Sequence, residues 1–375
     1  MSSADQQAEP RCIDLERGAL GGIGAQQRVG RGTYSHGGKQ AAPAPYDVWP
    51  RKPSADSQVR PADRTYYDRP AIKEPVWIWS VPAYFYIGGT SGAASLLGAV
   101  ASYRAGLEGL ERACRWLAAA GDALGTGLLI IDLGRPARFL NMLRVFRPTS
   151  PMSVGSWVLA LSSGLSALSA LTSRREGAIG RVGDAAGQVA GLLGVPLAGY
   201  SAVLVTNTAV PAWQGARRTL PLLFAASGVA GAASLLDLLD LDEHEVAAVR
   251  VFGVAGGVGE LLAGRALERE VGQVERAAHP YHEGLSGLLW KAAKVATAAS
   301  LFTSLLPGAS RPKRALAGLL GTAGSLSLRF AVFHAGRRSA RDPRATFHQQ
   351  RAGHGAAEVT HAAAVTGPDG RRATG

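Results

Sequence analysis

Ionisable side chains set among apolar ones are costly inside a membrane, so each such residue is a functional candidate by default. Asp122 stands alone in a long apolar run, Asp132 closes that run, and Arg135 and Arg138 follow it, in the stretch LLIIDLGRPARFLNMLRVFRPTSPMSVGSW from Leu128 to Trp157. An acid held between a helix C-terminus and a guanidinium is pulled both ways, which suits a group that must gain and lose a proton. Two readings of Asp132 and Arg135 stand side by side. They form a buried pair beside a ligand, or they lock a basic connector in place. Glu260 and Arg329 also fall within or near the end of apolar runs. Glu260 is deep enough that it must face protein or water.

Other chemistries are poorly supplied. Cys12 and Cys114 are the only cysteines, and an iron–sulfur cubane takes four ligands. Cys114, at the start of an apolar helix, reads as a small buried hydrophobe. None of the eight histidines lies mid-run, so no paired axial ligands for a membrane haem are expected. His279 and His282 are placed in a loop, where a solvated pair is favoured over a metal site. Walker, nucleophile-elbow and HExxH motifs are missing. The GVAGGVG of Gly253 to Gly259 lies inside an apolar run and follows no strand, so it is no dinucleotide loop.

The elements that must carry these residues are helices long enough to cross about 30 Å of hydrocarbon. The mean hydropathy of +0.06 hides two populations: a polar stretch over 1–75 and long uncharged runs over 76–335. Eight spans are expected: Pro75 to Tyr103, Ala113 to Ile131, Met152 to Ser173, Ala185 to Val210, Leu220 to Leu236, Val246 to Ala266, Leu285 to Leu306 and Ala315 to Phe333. Trp77 and Trp79 sit at the start of the first like an interfacial aromatic belt. The pairs Gly88/Gly92, Gly187/Gly191 and Gly253/Gly257 let helix backbones approach closely. From Pro136 a short amphipathic helix is expected at the interface, with Phe139, Met142, Leu143 and Phe146 on one face.

The chain is therefore read as an all-α integral membrane protein of about eight transmembrane helices. Residues 1–75 form a disordered polar tail, 76–335 the transmembrane domain and 336–375 a polar C-terminal tail. No motif in the tail supports nucleic-acid binding. An arginine excess on the side of Arg135, Arg138, Arg144 and Arg147 places both termini in the cytoplasm.

The DLGRPARFLNMLRVF segment resembles the DLGRPxRF loop of the NrfD-like family, the membrane subunits of polysulfide reductase and related molybdenum oxidoreductases. WIWSVPAYFYIGGTSGA from Trp77, YSAVLVTNTAVPAW from Tyr200, LPLLFAASGVAGAAS from Leu220 and LRFAVFHAGRRSARDPRATF from Leu328 are similar to further pieces of that family. The resemblance covers about 76–348. It implies two four-helix bundles in a multi-pass protein of the bacterial plasma membrane. The subunit would be free of haem and clusters, binding quinone or menaquinone as substrate in the first bundle. Its implied partners are a ferredoxin-like iron–sulfur subunit and a molybdopterin catalytic subunit, with membrane lipid around it. Tyr84 and Arg138 are the expected quinone contacts, and Asp132, Arg135 and Asp122 the expected proton-handling groups. Some members carry Asn-x-x-His at the start of span one; Val81 and Tyr84 stand there instead, so a histidine relay is replaced by a phenol. The competing readings are a purely structural anchor and a transporter. For a transporter, Pro196 and Pro211 would need a matching set of breaks elsewhere.

Overall fold

The computed structural model describes residues 72–346 apart from 134 and 309. Most of the expected N-terminal tail and the chain beyond 346 lie outside the described residues. Eight helices of 18 residues or more follow one another: α1 (Ser80–Ala101), α2 (Glu108–Asp132), α3 (Pro151–Thr172), α4 (Gly177–Thr206), α6 (Thr219–Leu236), α7 (Glu243–Gly272), α9 (Gly284–Leu305) and α10 (Arg311–Arg341). Two short helices, α5 (Pro211–Gln214) and α8 (Glu275–His282), link them. Six of the long helices are both long and apolar enough to cross a membrane; α1 and α9, each of 22 residues, fall outside that group. The protein is an all-α, multi-pass membrane protein.

Local chemistry sets the ends. Pro151 opens α3 at a position where a missing N–H is harmless, and Ser150 Oγ accepts from the Ser153 amide. Asp242 and Glu245 form a capping box on α7. Glu245 is buried and also accepts from the Leu110 amide at 2.6 Å, tying the start of α7 to the start of α2. Gly106 and Gly308 between helices, and Gly177 and Gly284 at the first positions of α4 and α9, adopt positive φ, the conformation that glycine alone enters cheaply.

Helices α1 to α4 pack on one another, as do α6, α7, α9 and α10, and α1 also lies against α6 and α10. Small residues make the crossings. A Cβ at Gly92 would come within 2.7 Å of the Gly194 carbonyl, and one at Gly228 within 2.7 Å of the Gly89 carbonyl. Many large aliphatic side chains point outward, with Leu124, Leu171, Leu192, Val251 and Val295 all exposed, while aromatic residues such as Trp213 and Phe224 fill the wider gaps inside. Small interiors with large aliphatic exteriors are the packing of helices in lipid, where burial of leucine gains nothing.

Three expectations are corrected. The connector from Pro136 is a 3-10 helix, Pro136–Leu143, with no buried residue. A short stretch opened by Pro136 and ending before Pro148, with no fully buried face, settles for the tighter i→i+3 pattern. Phe139, Met142 and Leu143 are half-buried, while Phe146 is exposed and meets the Trp157 ring edge-on. His279 and His282 lie on α8, not in a loop, and His279 pairs with Glu283 at 3.1 Å. The fourth span ends at Thr206 rather than Val210; it runs unbroken through Pro196, and Pro211 opens α5.

Candidate functional site: a lone carboxylate among four helices

The first four helices meet around Asp122. Its side chain is fully buried, and its two oxygens accept from Ser91 Oγ of α1 at 2.6 Å and Ser162 Oγ of α3 at 3.0 Å. One turn nearer the connector, Gly125 leaves room for the Tyr84 ring, which a Cβ there would meet at 3.3 Å. Tyr84 is buried and lies within electrostatic range of Asp122 and of Tyr200 on α4. Tyr200 Oη in turn accepts from the Gly155 amide at 2.9 Å, and a Cβ at Gly155 would collide with that ring. A carboxylate and two phenols from three helices thus share one neighbourhood, with Asp122 and Tyr84 buried and Tyr200 half-buried. Such a set can accept a proton and donate hydrogen bonds.

The other expected residues lie elsewhere. Asp132 ends α2, about 15 Å along the helix from Asp122 at 1.5 Å per residue. It is half-buried and accepts from the Ile78 amide at 3.4 Å and Ser80 Oγ at 3.5 Å, binding the end of α2 to the start of α1. Arg135 is exposed, so the expected pair with Asp132 is not buried. Arg138 is half-buried in the 3-10 connector, where its amide donates to the Arg135 carbonyl at 3.0 Å. Of the five expected residues, the structure therefore brings Tyr84 and Asp122 together, and leaves Asp132, Arg135 and Arg138 at the connector.

A second buried charged centre lies among the later helices. Glu260 of α7 accepts from Thr297 Oγ1 at 2.6 Å and Ser325 Oγ at 3.3 Å. Arg329 of α10 is fully buried, donates to the Phe224 carbonyl at 2.7 Å and lies 3.8 Å above the Phe224 ring. Glu260 does face protein, as its depth requires.

Sequence reading missed Ser91, Ser162 and Gly155, and it noted Tyr200 only as part of a quoted segment. Those quoted segments converge in space. Trp77 stacks on Trp213 with ring centroids 5.8 Å apart, Trp213 Nε1 donates to the Val332 carbonyl at 2.8 Å, and the Ala212 amide donates to Ser339 Oγ at 3.1 Å. Cys114 is fully buried against Gly98, as a small hydrophobe would be. Among the described residues no group of three His, Cys, Asp or Glu side chains stands close enough to hold a metal ion.

Comparison with curated proteins finds no match. The sequence profile described as polysulfide reductase matches residues 65–341, which takes in every long helix. The chain belongs to the NrfD-like family of polysulfide reductase membrane subunits.

Proposed function

We propose that this chain is the haem-free, quinone-reactive membrane subunit of a molybdopterin oxidoreductase complex. A partner iron–sulfur subunit exchanges electrons with it on the connector face. The eight long helices act as eight spans in two four-helix bundles, with both termini cytoplasmic and polar tails over 1–75 and 336–375. The observation that supports this most is the Tyr84–Asp122–Tyr200 neighbourhood inside the first four helices. Reduction of a quinone takes two electrons and two protons. The electrons come from the partner's clusters, and the protons need an ionisable group and hydrogen-bond donors near the ring. Tyr84 Oη is suited to hold a quinone carbonyl and Asp122 to hold a proton. Asp132 keeps the start of α1 in register, and Arg135 and Arg138 present positive charge at the connector. The terminal substrate is set by the catalytic subunit.

The test is solvent extraction of quinone from the purified full-length chain. Quinone is expected in roughly stoichiometric amount, falling several-fold in Tyr84→Phe, with no haem Soret band. A preparation holding no more quinone than an unrelated multi-span protein from the same membranes would refute the reading.

A further inference from the structure

Five serine hydroxyls in the first four helices, those of Ser95, Ser163, Ser166, Ser169 and Ser201, are buried without a hydrogen-bond partner, and three of them, Ser95, Ser166 and Ser169, lie close together. An unpaired buried hydroxyl is unfavourable unless water satisfies it. All three line one small cavity with room for about one water molecule. The cavity exists partly because Gly187 has no side chain; a Cβ there would sit 2.7 Å from Ser169 Oγ.

Spacing gives the cavity a direction. Ser162, Ser166 and Ser169 follow one face of α3 at helical intervals, and Ser91 and Ser95 are one turn apart on α1. Ser91 and Ser162 hold the Asp122 carboxylate, and Ser166 lies beside it. At the opposite end the lining includes Ser102, Gln188 and Arg115. Arg115 pairs there with Asp184 at 2.8 Å, and Asp184 is 63 % exposed, so this end reaches solvent. The solvent end lies at the start of α2 and α4 and the end of α1 and α3, the membrane face opposite the 3-10 connector.

We infer that Ser95, Ser166 and Ser169, with water between them, form a proton passage joining Asp122 to the membrane face opposite the connector. A proton taken from bulk water at the Arg115–Asp184 end would move by hydroxyl-to-water hops, each oxygen receiving one proton and releasing another. It would come to rest on an Asp122 oxygen with no net charge left on any serine. The groups facing Asp122 are Tyr84 and Ser91 from α1, Ser162 and Ser166 from α3, and, behind Tyr84, Tyr200 from α4. α3 itself carries no charged residue. The inference rests on the quinone reading for the identity of the proton's destination. It adds that the protons and the electrons arrive from opposite faces.

The test uses the full-length chain in lipid nanodiscs. Infrared difference spectra are recorded after a pH step, following the carboxyl C=O band that Asp122→Asn removes. Ser166→Val is expected to slow the appearance of that band by about tenfold or more, because it removes the hydroxyl, and its added bulk is controlled by the isosteric threonine variant. Ser166→Thr, of the same bulk with the hydroxyl kept, is expected to restore the parent rate. Gly187→Ala, which crowds Ser169 from a second helix, is expected to slow it as well. A band that rises as fast in Ser166→Val and Gly187→Ala as in the parent overturns the passage. So does the lack of any titrating Asp122 band, or a Ser166→Thr variant as slow as Ser166→Val. Quinone extracted from the same preparations separates the two claims. Quinone bound with no valine effect sinks only the passage, and a valine effect without quinone sinks only the functional reading.

Discussion

Asp122 and Glu260, two carboxylates buried well inside their helices, occupy the two halves of the molecule and are treated differently. Each accepts from two hydroxyls at hydrogen-bond distance. Glu260 also lies in the field of a buried arginine, Arg329, which is anchored on the Phe224 carbonyl and ring. Among the described residues Asp122 has no such cation; its neighbours are phenols and serines, and unpartnered hydroxyls lead from it toward the opposite face. A carboxylate with a fixed counter-charge holds one state. A carboxylate without one, reached by water, is free to change state. On the proposed reading, proton chemistry belongs with the first four helices, and structural cohesion with the second charged centre.

The largest effect that would break this comparison is expected at Arg329. Arg329→Leu leaves the buried Glu260 without the cation in whose field it lies; the two do not touch, so the loss is expected at up to about 3 kcal/mol, the lower end of what breaking a contacting buried pair costs. The thermal unfolding midpoint of the purified chain should fall sharply. The double variant Arg329→Leu/Glu260→Gln should recover a large part of the loss, since neither charge then remains uncompensated. Additive losses would mean that the two residues do not stabilise one another.

The next effect sharpens the contrast in function. In the assembled complex, Asp122→Asn is expected to keep the fold, because an amide can still bond both serines. It should lower quinone-linked turnover by about tenfold, equivalent to about 1.4 kcal/mol in barrier height. Artificial-dye activity of the catalytic subunit should persist. Glu260→Gln should show the reverse pattern, with lower stability and near-parental turnover. If Glu260→Gln lost turnover while Asp122→Asn kept it, the two halves would have to exchange roles.

Much of this was legible before any coordinates. The third span was expected at Met152 to Ser173 and is Pro151–Thr172, because an uncharged run bounded by Pro151 and Arg174 leaves little choice. Asp122 stood out as a lone charge in an apolar run. The start of α4 was placed too late, at Ala185, since Arg181 and Asp184 interrupt the apolar run; they lie inside the helix, with Asp184 facing Arg115. The serines around Asp122 were not recoverable, because small polar residues are scattered through all the spans and sequence periodicity does not say which faces meet. The Glu260–Arg329 relation was hidden for the same reason. The two sit on α7 and α10, with no local spacing to announce it. Asp132 was conspicuous, but its contacts to Ile78 and Ser80 depend on how the start of α1 returns to the end of α2.

A third carboxylate extends the comparison to the surface, where the effect is expected to be smallest. Glu74 lies just ahead of α1 and accepts from Arg337 Nε at 2.7 Å and Arg341 Nε at 2.7 Å, tying the chain before α1 to the end of α10. Its burial works against ionisation, but the hydrogen bonds and positive charges of Arg341 and Arg337 outweigh it and hold the acid below its ordinary value of 4.5. A depressed carboxyl contributes stability that is fully present above the unfolded value and is lost as pH falls through the folded one. Arg341 is 57 % exposed, so screening by solvent limits the whole network to about 1 kcal/mol. Glu74→Gln should therefore lower the unfolding midpoint by only a few degrees near neutral pH. That gap should close as the pH is brought down through the acid range, because the parent then loses the same interaction. It should also narrow in high salt, whereas the Arg329→Leu loss should not, since a buried charge is shielded from the ions that screen the surface. A salt-independent Glu74→Gln gap would place this clamp with the buried pair rather than with the surface.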